Sequence, residues 1–456
     1  MQIYNNTARL ASEVIDILKI FFVDNYFGIL RSKLLIFARI YMAQDLLLKG
    51  SGPDILIRDG IIRRKGFGIE ASPEVTVIDT TGYLVCGGFA DLHVHFREPG
   101  YSYKETIRSG SMAAARGGYT TVCTMPNLDP VPDTQEHLRI EQDIIDRDAV
   151  IQVLPYASIT IGRKGTELVD FKALKGRCVA FSDDGSGVQS REIMLRAMEK
   201  AAENDCIIAA HCEDNSLLHG GYIHDGAWCR THSHKGICSE SEWGQIKRDL
   251  ELAELTGCHY HICHISTAES VELIARAKDR GVMVTCETAP HYLTLCEDDM
   301  REDGRFKMNP PLRSKADREA LVRGLCDGTI DAIATDHAPH SEEEKSKGLE
   351  HSAMGITGLE TAFPELYTRL CIGEKVPVAK IINALTTSPR SAFRLKNVFE
   401  EGCAADITVI DTRKEFTIDS RNFLSKGHST PFDGDKVYGK VTMTFKDGKL
   451  VWKDNN

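Results

Sequence analysis

A chain of 456 residues with 42% hydrophobic and 27% charged residues has the composition of a soluble globular protein able to bury a sizeable core. Its net charge of −11 argues against a nucleic-acid binder, which presents a basic patch or stripe. A small anionic substrate stays open, because a site's local field can oppose the net charge.

The chain opens with residues 1–32, read as a helical extension of unclear role. Its apolar stretch "ILKIFFVDNYFGILRSKLLIFARIY" is interrupted by Asp24, Arg31 and Lys33. No uncharged run there approaches the ~20 residues a membrane span needs. From residue 33 to 86 the pattern turns to short strands, as in "DILIRDGII" and "VTVIDTTGYLV". Residues 402–456 do the same, with "ADITVID" and "VYGKVTMTFKDGKLVW", so both ends are expected to build one small β domain.

Between them, residues 87–401 alternate strand and helix. The strand candidates are "FADLHVHF", "YTTVCTM", "VIQVLPYA", "CVAFS", "CIIAAH", "HYHICHI", "VMVTCE" and "DAIAT". Amphipathic stretches such as "REIMLRAMEKAAEN" and "AESVELIARAKDRG" separate them. Near-continuous apolar strands alternating with helices mean a parallel sheet covered on both faces. Eight such units predict an α/β fold of the (β/α)₈ TIM-barrel type. An open doubly wound sheet would more often carry a G-x-G-x-x-G after a strand, and none occurs. The fourteen cysteines lie in apolar segments without a C-x-x-C pair, which reads as reduced core residues. With no signal peptide in view, the cytoplasm is the expected location.

A barrel places its chemistry at the C-terminal ends of the strands. His93, His95 and Arg97 follow the first strand at every second position, as if on one face. Asn127 follows the second, Asp183 and Asp184 the fourth, His211 the fifth and His264 the sixth; Asp336, His337 and His340 follow the eighth. Singly, each has a plain alternative. Asp183 or Asp184 suits the N-cap of the next helix, Asp336 a turn, and Arg97 a surface ion pair with Glu98 or Glu105. The histidines between 219 and 234 suit a solvated loop, and His291 a hydrogen-bonding position near the rim. Strand parity sets His259 and His261 against His264, so only one parity can face the mouth.

Jointly, four histidines and acidic residues at one rim predict a metal centre. Imidazole and carboxylate ligands without thiolate suit catalytic zinc. His93, His95 and Asp336 could hold one ion, His211 and His264 a second, with Asp184 bridging. Two ions ~3.5–4 Å apart bring the pKa of a shared water from 15.7 towards ~7. Asp336 then suits the general base of a hydrolysis of an amide-like bond.

The motifs "DLHVHFREPG", "MPN", "FSDDGS", "HCED", "HIS", "NPPLR" and "ATDHAPH", in this order, resemble dihydroorotases of the long bacterial type, within the amidohydrolase superfamily. The resemblance runs from about residue 33 to the end and includes "GCAADITVID". It implies a (β/α)₈ barrel with a small β-sandwich-like domain formed by both chain ends. It also implies one or two zinc ions held by His93, His95, Asp184, His211, His264 and Asp336. The implied activity is the reversible cyclisation of N-carbamoyl-L-aspartate to L-dihydroorotate in pyrimidine biosynthesis. Substrate contacts implied by the resemblance fall on Arg97, Asn127, Asn309 and His340, with backbone contacts near Met354 and Gly355.

Independently of that resemblance, a planar guanidinium recognises a carboxylate bidentately, which makes Arg97 the specificity residue. Hydantoinases typically lack this arginine, and allantoinases tend to read "HFNEP" where this chain has "HFREP". Many superfamily members bridge two metals with a carboxylated lysine; "VAFSDDG" offers Asp184 instead. The competing readings are an allantoinase- or hydantoinase-type hydrolase and an inactive scaffold for aspartate carbamoyltransferase. A homo-oligomer and a carbamoyltransferase partner are both open, and neither nucleic acid nor membrane is an expected partner. Residues 340–355 suit either a lid over substrate or a solvated connection.

Overall fold

The computed structural model describes residues 45–455. The expected N-terminal extension, 1–32, and the first part of the β region, 33–44, lie outside the described residues.

Two four-stranded sheets come from the chain ends. One is ordered Ile61–Gly66, Asp54–Arg58, Leu46–Lys49, Thr76–Asp79, antiparallel except for its last pair. The other is ordered Lys449–Lys453, Lys440–Lys446, Ile407–Asp411, Leu84–Gly87 and is antiparallel throughout. Strand alternation sends one face of each inward. Leu46, Leu48, Ile55, Ile57 and Ile62 of the first sheet thus share one buried cluster with Ile407, Val409 and Phe445 of the second.

The strands in the middle of the chain pair in parallel, with one isolated antiparallel bridge, Thr160 to Leu168, in a connection. Phe89–Val94 pairs with Tyr119–Thr124, and that strand with Gln152–Pro155. Single parallel bridges then lead from Ala157 to Phe181 and from Phe181 to Ile208. Ile207–Ala210 pairs with His259–Ile262, which pairs with Val284–Thr288, and Val284–Thr288 with Ala332–Ile333. A last parallel bridge, Val94 to His337, returns to the first strand. The fourth and eighth expected strands are therefore shorter than their apolar runs suggest. At Phe181 the ladder gives way at once to Ser182–Gly187, where Asp183 accepts the N–H groups of Ile159 (2.8 Å) and Thr160 (3.1 Å).

Alternate residues divide between two clusters. Tyr260 and Ile262 join the large apolar core shared with the helices. Leu92, Cys123, Met125, Tyr156, Ala180, Ala209, Cys263 and Ala332 meet one another in a smaller cluster. Several helices between strands start on side-chain caps, which satisfy otherwise free N–H groups. Thr106 caps Ile107–Arg116, Thr267 caps Ala268–Asp279, and Ser314 caps Lys315–Asp327. Ser190, not Asp183 or Asp184, caps Arg191–Glu203. Among the described residues no helix is long and apolar enough to cross a membrane.

Candidate metal centre

His93, His95, Asp184, His211, His264 and Asp336 are all buried and lie together. His93 Nε2 stands 3.4 Å from Asp184 Oδ1 and 3.6 Å from Asp336 Oδ1. His95 Nε2 stands 3.0 Å from Asp336 Oδ1 and 3.6 Å from Asp184 Oδ2. On the other side, His211 Nδ1 and His264 Nε2 are 3.0 Å apart, at 3.8 and 3.7 Å from Asp184 Oδ1. Asp184 thus turns one oxygen to His93, His211 and His264 and the other to His95.

Two imidazoles are hydrogen-bonded to an acceptor through the outer nitrogen, and a third has a carboxylate nearby. His93 Nδ1 donates to Glu287 Oε1 at 3.0 Å, and His95 Nδ1 to Asn127 Oδ1 at 2.8 Å. Glu213 Oε2 stands 3.5 Å behind Nε2 of His211. A ring nitrogen that donates outward leaves the other with a lone pair. In their neutral forms, His93 and His95 therefore turn lone pairs towards carboxylate oxygens, acceptors facing acceptors in a buried space. His93 Nε2 and Asp184 Oδ1 have no hydrogen-bond partner at all. Such a cluster is costly without a cation and fits a divalent metal. Two buried groups, His93–His95–Asp336 and His93–Asp184–His264, each bring three ligand atoms within 4.8 Å of one another. A third, His93–Cys263–Glu287, is less suited: burial pushes the Cys263 thiol up to about 12, so it stays protonated, and thiolate is the ligand form.

Electrostatics follow the same geometry. Burial opposes ionisation of Asp184 and Asp336, yet the surrounding imidazoles hold both carboxyls well below the usual range. Burial likewise disfavours charge on His93, but the Asp184 carboxylate outweighs it and raises that imidazole.

Backbone strain re-aims three of these side chains. Arg97, His264 and Asp336 have φ of +58°, +35° and +46°, in a region non-glycine residues rarely occupy except where function holds them there. Two expectations change as a result. The first strand ends at Val94, so Arg97 is turned by its own backbone rather than by strand alternation. Parity also fails after Ile262. His261 lies inside, with Nε2 3.2 Å from Glu287 Oε2, and the left-handed turn brings His264 to the metal cluster as well.

Arg97 pairs with neither Glu98 nor Glu105. Its Nε donates to Pro339 O at 3.3 Å, and its Nη2 lies 3.4 Å from His340 Nε2. Asn127 is committed at both ends, since its Nδ2 donates to Asp184 Oδ2 at 3.2 Å. Asn309 Nδ2 donates to Glu213 at 3.1 Å, while its Oδ1 is buried without a partner. His340 Nε2 lies 2.8 Å from Met354 O. Gly355 donates to Lys307 O at 3.0 Å and accepts from Lys345 Nζ at 2.8 Å. At φ +130° a Cβ on Gly355 would sit 2.7 Å from Ala338 O, so only glycine fits.

The 340–355 segment exposes Glu342, Glu343, Ser346, Lys347 and Gly348 to solvent but is anchored at Lys345. Lys345 is buried, and its ammonium donates to Lys307 O, Ala353 O and Gly355 O. His291 is buried with Nε2 unpartnered, in place of the hydrogen-bonding position expected, and burial takes it down to about 4. His219 and His232 are exposed; His234 bonds to Tyr222 and Glu302. Glu287 and Lys345 were not singled out by sequence. A glutamate inside the apolar strand Val284–Thr288 is the one signal that could have found the first.

A family model described as dihydro-orotase-like matches residues 82–270. Over 403 residues the chain is 51% identical to a dihydroorotase of a Geobacillus species, covering 88% of this chain and 94% of that one. It is also 51% identical over 404 residues to a dihydroorotase of Listeria innocua, covering 88% and 95%. In structure it is similar to an L-hydantoinase from Arthrobacter aurescens, with a TM-score of 0.79, 24% identity, and 90% and 97% of the two chains covered. A D-hydantoinase structure aligns with a TM-score of 0.78 at 21% identity, over 90% and 95%. At such identities these two structures carry the fold alone, and it is α/β. Half of the residues over nearly nine-tenths of the chain are shared with the first two relatives, and on that ground the chain belongs to the dihydroorotase family, cyclic amide hydrolases that use a metal cofactor.

Proposed function

We propose that this chain catalyses the zinc-dependent, reversible cyclisation of N-carbamoyl-L-aspartate to L-dihydroorotate and water, in pyrimidine biosynthesis. One observation carries the reading: inward-facing imidazole lone pairs and ionised carboxylates share a buried space with a guanidinium whose fork is not paired to any carboxylate. An allantoinase or hydantoinase reading gives no use for Arg97, and an inactive scaffold no use for six retained ligands.

His93, His95 and Asp336 would hold one zinc ion and His211 and His264 a second, with the divided oxygens of Asp184 supporting a bridge between them. Zinc there lowers the pKa of water and polarises the attacked carbonyl. The remaining work falls to the chain itself. Arg97 binds the ring carboxylate bidentately, helped by Asn309 and His340 and by the backbone at Met354 and Gly355. Asn127 reaches substrate only by giving up a bond to His95 or Asp184. Asp336, ionised at neutral pH, takes the proton of the attacking water and returns it to the ring nitrogen as the C–N bond breaks. Cyclisation runs these steps in reverse.

The parallel pairings that return from His337 to Val94 support a (β/α)₈ TIM-type barrel over 87–401. The shared cluster of the two end sheets supports a small β domain from 33–86 and 402–456. A cytoplasmic enzyme, as a homo-oligomer or beside aspartate carbamoyltransferase, is compatible with this scheme and not required by it. The test is ring opening of dihydroorotate before and after chelation. Activity should vanish on chelation and return with zinc; activity indifferent to chelation, or an Arg97→Ala variant that hydrolyses hydantoin unimpaired, refutes it.

A further inference from the structure

Lys104 lies between the first strand and the helix Ile107–Arg116, on the Arg97 side of the site. Its Nζ stands 2.8 Å from Glu344 Oε1 and 3.3 Å from Nδ1 of His340. An ammonium has no lone pair, so towards a ring nitrogen it can only donate. Burial, with the charges of Arg97 and Lys104, brings His340 down to about 3, so its imidazole is neutral and carries a single N–H. If Nδ1 accepts from Lys104, that hydrogen is on Nε2, where it donates to Met354 O at 2.8 Å. Arg97 Nη2, 3.4 Å from the same Nε2, then meets an N–H and cannot donate to it.

The other tautomer has a ready partner. Glu344 Oε2 lies 3.4 Å from His340 Nδ1 and would accept from an Nδ1–H. Nε2 would then hold a lone pair facing Arg97 and would occupy one arm of its fork. Met354 O, which can only accept, already favours the first arrangement, and Lys104 opposes the second by occupying Nδ1 and Glu344.

We infer that Lys104 is a positioning residue for substrate selectivity: by donating to His340 Nδ1 it locks, together with Met354 O, the Nε2–H tautomer and keeps the Arg97 fork open for the ring carboxylate. The inference rests on Arg97 as the carboxylate site proposed above. A bare positive charge near the pocket would also favour an anionic substrate, so the test has to separate charge from tautomer.

The experiment is steady-state ring opening of dihydroorotate by the zinc-loaded full chain, with Lys104→Met, Lys104→Arg, His340→Asn and the Lys104→Met/His340→Asn double variant. Lys104→Met should raise KM about tenfold, the loss of one charge-assisted contact, and change kcat by less than about twofold. Lys104→Arg, which also only donates, should recover most of the lost affinity. With His340→Asn already present, Lys104→Met should add less than about a further twofold, because residues acting through one network are non-additive. An equal rise in KM in both backgrounds makes Lys104 a bare charge and overturns the inference. So does an unchanged KM for Lys104→Met where His340→Asn raises it. Should Arg97→Met and His340→Asn both leave KM unmoved, the carboxylate site itself is wrong, whatever Lys104 does.

Discussion

Replacing Glu287 with glutamine tests how the metal centre is held. The carboxylate is fully buried between two imidazoles, 3.0 Å from His93 Nδ1 and 3.2 Å from His261 Nε2. Burial opposes its charge, but His261 and His93 bring it down to about 2, so it is an anion at any working pH. Glu287→Gln keeps the shape and one acceptor oxygen and removes the charge. His93 then loses an ionised partner, its outer N–H is less firmly fixed, and Nε2 becomes a weaker donor to metal. Outer partners of metal-bound histidines are worth about 10–100-fold in affinity, or roughly 1.4–2.8 kcal/mol. Competition for zinc against a chromophoric chelator at fixed pH reads this without turnover. Zinc binding by Glu287→Gln at the parent affinity, within a factor of about two, would refute the argument that this carboxylate orients His93.

Zinc affinity should also fall with pH. His93 is raised by Asp184, so below that raised pKa a proton must leave before metal enters; chelator competition at two pH values gives the slope, and a flat profile counts against it. Glu141 tests an opposite sign. Its Oε2 is buried without a partner, and burial takes it from 4.5 up to about 8. The folded state therefore holds a proton that the unfolded chain has released, and stability is lost as pH rises from about 4.5 to about 8. Glu141→Gln should raise Tm at pH 8 and gain little at pH 4.5, as two thermal melts will show. Lys345→Met should leave Ala353 O and Gly355 O without a donor, Lys307 O keeping the Gly355 N–H, at roughly 1–3 kcal/mol for each one left unsatisfied. Amide exchange across 341–355 should quicken and KM rise more than kcat falls; an unchanged exchange pattern argues against that clamp.

The clustering of the six residues was legible because each ends an apolar run and parallel α/β folds gather strand ends. What escaped depends on backbone and partners. Parity set His261 against His264, yet both lie inside because a φ of +35° at His264 breaks the alternation, and nothing in "CHIS" announces a left-handed residue. Asn127 looked like a substrate contact alone, since its bonds to His95 and Asp184 come from distant segments. Lys104 and Lys345 lie in charged stretches, "SYKE" and "SEEEKSKG", where a lysine reads as solvated until coordinates show which carbonyl or ring nitrogen it meets. The expected strands "CVAFS" and "DAIAT" shrink because Asp183 and Asp336 take the chain out of the sheet almost at once.

Asp91 accepts the N–H of His93 and both the N–H and the hydroxyl of Thr335, 244 residues along the chain. This seam joins the first and last segments of the parallel series right beside His93, His95 and Asp336. An ion held by those three residues would make metal loading and seam closure linked equilibria, acting as a rivet across the join. A ribosome-bound chain would then complete the centre only once the last segment has emerged, which would make loading a late event. Stripping the metal should unfasten the molecule first along this edge.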